Sequence, residues 1–244
     1  MQVYREIPLI TNQARARPAE LVGVVSVAEE WTVARHKKRA ETIIASLAPD
    51  LPFVLDAGTG MYLNALVLDI PLAPKVPLRV RVEAEEIAAD AENPRREARK
   101  EELRLLGAPE RGSIWEGDLR YDATFLYLRP ERHDLDLNIT ARSSKIVREG
   151  GAEEAQRLTE SGLEPNPSVR EAIGVREMLL HVAGALSADE AEETVAVRTR
   201  RLARRQIRWF DKLARSLPKT TRVLVAEKVG DEKIKHLMRD TMSA

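Results

Sequence analysis

Between Val195 and Leu217 the sequence sets eight cations, Arg198, Arg200, Arg201, Arg204, Arg205, Arg208, Lys212 and Arg215, against one acid, Asp211. Six of them (198, 201, 205, 208, 212 and 215) recur every three or four residues, so a helix would line them up as one ridge. Like charges four apart on a helix repel by roughly 0.2–0.5 kcal/mol per pair. A ridge that bears this cost with almost no compensating acid suits a polyanion, although a merely solvated charged face explains the same pattern. A second candidate is Ala57-Gly58-Thr59-Gly60, set between the apolar run Pro52–Asp56 and the helical Met61–Leu68. Strand, glycine turn and helix together present a helix N-terminus, whose free N–H groups can meet phosphate. A plain tight turn would look alike. His36, His133, His181 and His236 are scattered without metal-ligand spacing. There is no Gly-x-Ser-x-Gly elbow and no GxxxxGK[ST] phosphate loop.

The ridge needs a long helix, and the sequence supplies one over Ser187–Leu217. Ser187 and Glu190 have capping-box spacing and Pro218 is the stop. Val195, Leu202, Trp209 and Leu213, with Ala196, Ala203, Phe210 and Leu217, form its apolar stripe and are expected to be buried. The glycine turn needs a strand before it, and the uninterrupted apolar Pro52–Asp56 is expected to be one, covered on both faces. Further strands are expected at Leu21–Val27, Asp122–Leu128 and Arg222–Ala226. Helices are expected over Val33–Leu47 behind a Thr32 cap, Leu135–Arg148, Glu153–Ser161, Ser168–Ala183 and from Asp231. Leu78–Leu106 reads as a charged helical appendage broken at Asn93-Pro94 and stopped at Gly107, after the linker Pro71–Pro77. Met1–Gln13 carries no cap signal or polar leader, so the chain is expected to begin mid-fold.

Composition bounds the rest. Lys plus Arg and Asp plus Glu are both 39, so the net charge is zero and any polyanion preference is local. With no cysteine, disulfides, thiolate metal sites and a cysteine nucleophile are all excluded. No apolar run reaches spanning length, and cytoplasm is the default expectation.

The cationic helix also carries a motif. Thr199–Phe210, TRRLARRQIRWF, resembles the TRxxAKRQxTWFR signature of the tRNA dimethylallyltransferase (tRNA isopentenyltransferase) family. Arg170–Glu177 resembles the family's AIGYRE segment, with Val175 in place of its tyrosine. Asn138–Ala155 is similar to a family helix through Arg142, Gly150, Glu153 and Glu154. Gly58–Leu63 resembles GGTGLYL with Ala57 replacing the first glycine, and Trp31–Ala34 resembles YSVA. Gln2–Arg5 resembles the end of DSMQVYR, and Thr11–Gln13 resembles TNK. These blocks fall in family order over nearly the whole chain.

The resemblance implies an α/β fold: a P-loop-like parallel sheet flanked by helices, incomplete at the N-terminus, with a short helical insertion and a helical C-terminal half. Residues 1–77 and 115–244 would form the transferase core and 78–114 the reduced insertion. It implies transfer of a dimethylallyl group from dimethylallyl diphosphate, with Mg2+, to N6 of adenosine 37 in a tRNA anticodon stem-loop. Gln2 would contact the adenine, since an amide can pair bidentately with that base. Thr59, Arg142 and Arg205 would line the diphosphate channel. Arg170, Gly174, Arg176, Arg201, Arg204 and Arg208 would lie against tRNA. A monomer is expected. The family's GxTxxGKT loop has no match here, and its general-base Asp stands two positions before the residue matched by Met1. An internal methionine taken as the start is therefore expected, and impaired turnover with it. Asn93–Arg99 matches the family's NDxxRxxRALE segment only faintly. An isopentenyltransferase acting on free adenine nucleotides and a non-catalytic RNA-binding remnant are the alternatives.

Overall fold

One helix ties the molecule together. In the computed structural model, which describes residues 1–48, 51–68, 70, 72, 76–107, 113–115 and 117–227, it runs over Ala188–Ser216. Among the described residues eight other helices and two strands accompany it: α1 (Val33–Ala45), α2 (Gly60–Val67), α3 (Leu78–Ile87), α4 (Pro94–Leu105), β1 (Phe125–Leu128), α5 (Arg132–Arg148), α6 (Gly151–Glu160), α7 (Pro167–Arg170), α8 (Val175–Val182) and, after the long helix α9, β2 (Val223–Ala226).

The start of α9 is fixed as its sequence demands. Ser187 Oγ accepts from the Glu190 N–H at 3.3 Å while Glu190 accepts from the Ser187 N–H at 2.8 Å, which satisfies two donors left open by the first turn. Its apolar stripe then joins two cores. Val195 enters one with Tyr4, Ile7, Ile10, Val27, Ile146, Leu158, Val175 and Met178. Leu213 and Leu217 enter the other with Ala40, Leu66, Val67 and Leu68. Leu202 departs from expectation: it is 37% exposed, and the apolar contact of the middle of α9 with α5 is made by the small Ala196 and Ala203 against Ile139 and Leu135. Trp209 is partly buried, against the glycine turn.

The sheet is smaller than the sequence suggests. β1 and β2 pair in parallel with Phe125 opposite Val223 and Leu128 opposite Ala226. Pro52–Asp56 belongs to no ladder, and Val54 is 85% exposed. An apolar strand is stable only between neighbours that take its N–H and C=O groups, and among the described residues none is placed beside it. Leu21–Val27 likewise forms only a bridge, Val25 to Tyr4, because Leu21 and Gly23 take positive φ and turn the backbone. The expected helix over Ser168–Ala183 is two, since Gly174 sits at φ +89° between α7 and α8. The appendage is a helical hairpin: α3 and α4 bury Val80, Ala84 and Ala98, and Asn93 caps α4 by accepting from the Arg96 N–H. The helix expected from Asp231 lies outside the described residues.

Candidate nucleotide and RNA site

The glycine turn is held by α9. Gln206 donates from Nε2 to the Gly58 carbonyl at 2.6 Å. One turn on, the Trp209 ring fills the space where a Cβ on Gly60 would stand. Trp209 Nε1 donates to Asn64 Oδ1 at 3.4 Å, and the fully buried Asn64 donates to the Ile114 carbonyl at 2.9 Å. Trp115 packs on Trp209 at 4.6 Å between centroids, with the Lys212 ammonium 4.5 Å from the Trp115 ring centre. Thr59 is thereby fixed at the N-cap of α2, exposed, and its hydroxyl caps no backbone N–H. Arg205 precedes Gln206 on α9, and Thr59 follows Gly58, whose carbonyl Gln206 holds.

A second turn, residues 7–13, carries the other candidates. Gln2 donates from Nε2 to the Asn12 carbonyl at 2.7 Å and the Thr11 carbonyl at 3.1 Å, while its Oε1 accepts from Arg15 at 2.6 Å. Arg142, half-buried on α5, donates to the Ile10 carbonyl at 3.3 Å, its one partner among the described residues. Burial lowers its pKa from the ordinary arginine value, an electrostatic cost that a nearby anion would relieve. Arg15 also lies 3.8 Å from Asp56, so it bridges the Gln2 turn to the segment leading into Gly58. Gly174 is packed under the same turn, where a Cβ would come within 2.7 Å of Ile10 Cγ2.

The cations divide into two sets. Arg201, Arg204, Arg205 and Arg208 are exposed and make no ion pair or hydrogen bond with any described residue. Arg198 and Arg200 are occupied: Arg198 pairs with the buried Glu177 and donates to the Glu171 carbonyl at 2.6 Å, and Arg200 reaches Asp136 at 3.4 Å. Arg170 and Arg176 stand apart from both turns, lining a groove of about 440 Å³ beside α6 and paired with Glu164 at 2.6 Å and Glu171 at 3.4 Å. Both pairs are exposed, so they contribute little and exchange readily for phosphate. His36 is accounted for structurally: it accepts from Trp31 Nε1 at 3.2 Å, stacks near Tyr62, and burial lowers its pKa.

Asn64 and Arg15 were not singled out, and Gln206 and Glu154 entered only inside the family-like segments, with no role assigned. Asn64 gave a signal by type, as the one amide in the apolar Met61–Leu68, where burial demands a partner.

A family model described as IPP transferase matches residues 2–110 and 88–213. The chain belongs to the IPP transferase family. A tRNA dimethylallyltransferase of Rubrobacter xylanophilus is 59% identical over 249 aligned positions, covering 100% of this chain and 85% of the relative. One from Phenylobacterium zucineum is 31% identical over 86% of this chain and 78% of its own length. In fold, the chain is similar to the crystal structures of a tRNA isopentenylpyrophosphate transferase from Staphylococcus epidermidis (TM-score 0.70, 20% identity, 100% of this chain and 88% of that one) and of another from Bacillus halodurans (TM-score 0.69, 24% identity, 99% and 84%). This IPP transferase fold thus combines a small parallel sheet with many helices, and no helix among the described residues is long and apolar enough to cross a membrane.

Proposed function

We propose that this chain is a tRNA dimethylallyltransferase, moving a dimethylallyl group from its diphosphate to N6 of adenosine 37 in an anticodon stem-loop. The observation that carries the reading is the join of ridge and turn. Arg201, Arg204, Arg205 and Arg208, unpaired among the described residues, lie on the same helix as Gln206 and Trp209, which seat Gly58–Gly60. A phosphodiester chain on the ridge is thereby led to a diphosphate at the turn. The relatives' names support the same substrate class.

In this reading the amine lone pair of N6 forms a bond to C1 of the dimethylallyl group as the C1–O bond breaks. The diphosphate leaves with the electron pair, and N6 gives up its proton to water or to the departing diphosphate. The adenine must leave its stack for that amine to be reached. Gln2 would hold it, exchanging its bonds to Asn12 or Arg15. Thr59, Arg142 and Arg205 would face the diphosphate, where preorganised donors count most as charge builds up. Arg170, Gly174 and Arg176, with Arg201, Arg204 and Arg208, would lie along the RNA, and the α3–α4 hairpin, within the proposed insertion 78–114, beside its stem.

Magnesium usually keeps several waters and takes one or two carboxylates plus substrate phosphates. Asp56 and Thr59 flank the glycine turn, and no group of three metal-binding side chains occurs among the described residues. That donor set fits an ion carried mainly by the diphosphate, whose leaving charge it would neutralise. The sheet that holds β1 and β2 is proposed to be P-loop-like. No residue of the 244 matches the family's general base or GxTxxGKT loop. The protein is proposed to act as a monomer in the cytoplasm.

The test is incubation with labelled dimethylallyl diphosphate and either an anticodon stem-loop or free AMP. Label in the RNA, even slowly, supports the proposal. Label in AMP alone supports the free-nucleotide alternative, which the short hairpin favours. Tight RNA binding without label in either supports a non-catalytic remnant.

A further inference from the structure

Glu154 is 2% exposed, yet among the described residues it is a carboxylate without a cationic partner in hydrogen-bond reach. Its two oxygens are spent on backbone 144 and 145 positions away: Oε1 accepts from the Leu9 N–H and Oε2 from the Ile10 N–H, both at 2.9 Å. Burying a carboxylate is expensive, and a pair of N–H bonds offsets part of that cost. The next peptide is also held, since the Ile10 carbonyl accepts from Arg142. Two glycines let the loop sit this close: a Cβ at Gly150 would come within 3.2 Å of Leu9 Cδ1, and one at Gly174 within 2.7 Å of Ile10 Cγ2. The next two residues, Thr11 and Asn12, present the carbonyls that grip the Gln2 amide.

We infer that Glu154 is a positioning residue, which sets the Leu9–Ile10 peptides and through them the separation between the Gln2 amide and the Arg142 guanidinium. This rests on the proposed roles of Gln2 at the base and Arg142 at the diphosphate. A carboxylate suits the task because both its oxygens accept. The amide of Glu154→Gln would turn an NH2 group toward one of the two N–H donors, at almost unchanged volume. The turn would then be released on one side without a cavity. The basic ridge, which is carried by α9, would be unaffected.

The test compares binding of an anticodon stem-loop carrying adenine at the target position with one carrying purine there, which lacks the exocyclic amine. Wild type, Glu154→Gln, Gln2→Ala and Arg201→Ala are measured at fixed salt, with melting temperatures recorded. The expected result is that wild type prefers adenine by at least about tenfold, the scale of one good base contact of 1–3 kcal/mol. Glu154→Gln and Gln2→Ala should lose that preference, Glu154→Gln should bind the purine stem-loop as wild type does, and Arg201→Ala should weaken both RNAs alike. A merely structural Glu154 would lower the melting temperature and both affinities together while keeping their ratio, and that result overturns the inference. Loss of preference in Gln2→Ala but not in Glu154→Gln also overturns it while leaving the reading of Gln2 intact. No preference in wild type, or an unaltered one in Gln2→Ala, fails the underlying reading and the inference with it.

Discussion

Trp209 occupies the volume in which any side chain on Gly60 would have to stand, so α9 and the glycine turn are in register only while position 60 is glycine. Gly60 lies in the first turn of α2, where alanine would otherwise be the better helix former by up to about 1 kcal/mol. The overlap is with a packed indole ring, and overpacking of this kind typically costs about 1–3 kcal/mol. Gly60→Ala is therefore expected to be net destabilising and to move Trp209 fluorescence, and Trp209→Ala in the same chain should remove most of the added cost. Additive effects in thermal melts would show that the two residues do not share the space.

The arginines of α9 should separate into structural and free ones. Arg198 neutralises Glu177, which is 1% exposed, so Arg198→Met leaves a buried charge unpaired and should cost about 3–5 kcal/mol. Arg201→Met, on the exposed ridge, should stay within about 0.5 kcal/mol. Chemical denaturation of the two variants checks this, and equal stabilities would contradict the assignment.

Spacing alone could not make that distinction. Arg198 and Arg201 stand one turn apart in the same periodic ridge, and only the long-range partner, 21 residues upstream at Glu177, tells them apart. The helix itself was legible to its caps because Ser187, Glu190 and Pro218 act locally. The strand expected at Pro52–Asp56 was not, since strand pairing depends on neighbours that no local pattern specifies. Gln2, Thr59, Arg142 and Arg205 were reached by resemblance. What seats them, Glu154 and Gln206, involves backbone contacts 145 and 148 residues away in sequence.

Tyr127 gives a pH signature. Burial first, then the hydrogen bond to Asp211 at 3.1 Å, pushes its pKa up to about 12. With the folded pKa above the unfolded one, the unfolded chain loses its proton first, so this contribution to stability is complete below about pH 10 and is lost as pH rises toward 12. Absorbance titration at alkaline pH should show a last tyrosine step near pH 12 that Tyr127→Phe abolishes and Asp211→Asn moves down. A step unchanged by either variant would contradict the contact.

Val54, at 85% exposure, sits among the exposed Leu51, Phe53 and Leu55. Unpaired apolar backbone of this kind promotes non-specific association. Val54→Lys should reduce light scattering of concentrated protein while leaving the melting temperature within the small range of surface changes. Unaltered scattering would mean that this segment is not the source of association.

The salt dependence of binding to an anticodon stem-loop tests the central claim most directly. Each phosphate neutralised on single-stranded RNA contributes about 0.7 to the slope of log K against log salt. If Arg201, Arg204, Arg205 and Arg208 each meet a phosphate, the wild-type slope should approach about −3, and the Arg201→Ala, Arg205→Ala, Arg208→Ala triple variant should flatten it by about 2. A flat wild-type slope, or one that the triple variant leaves unchanged, would contradict the assignment of α9 as the RNA-binding ridge.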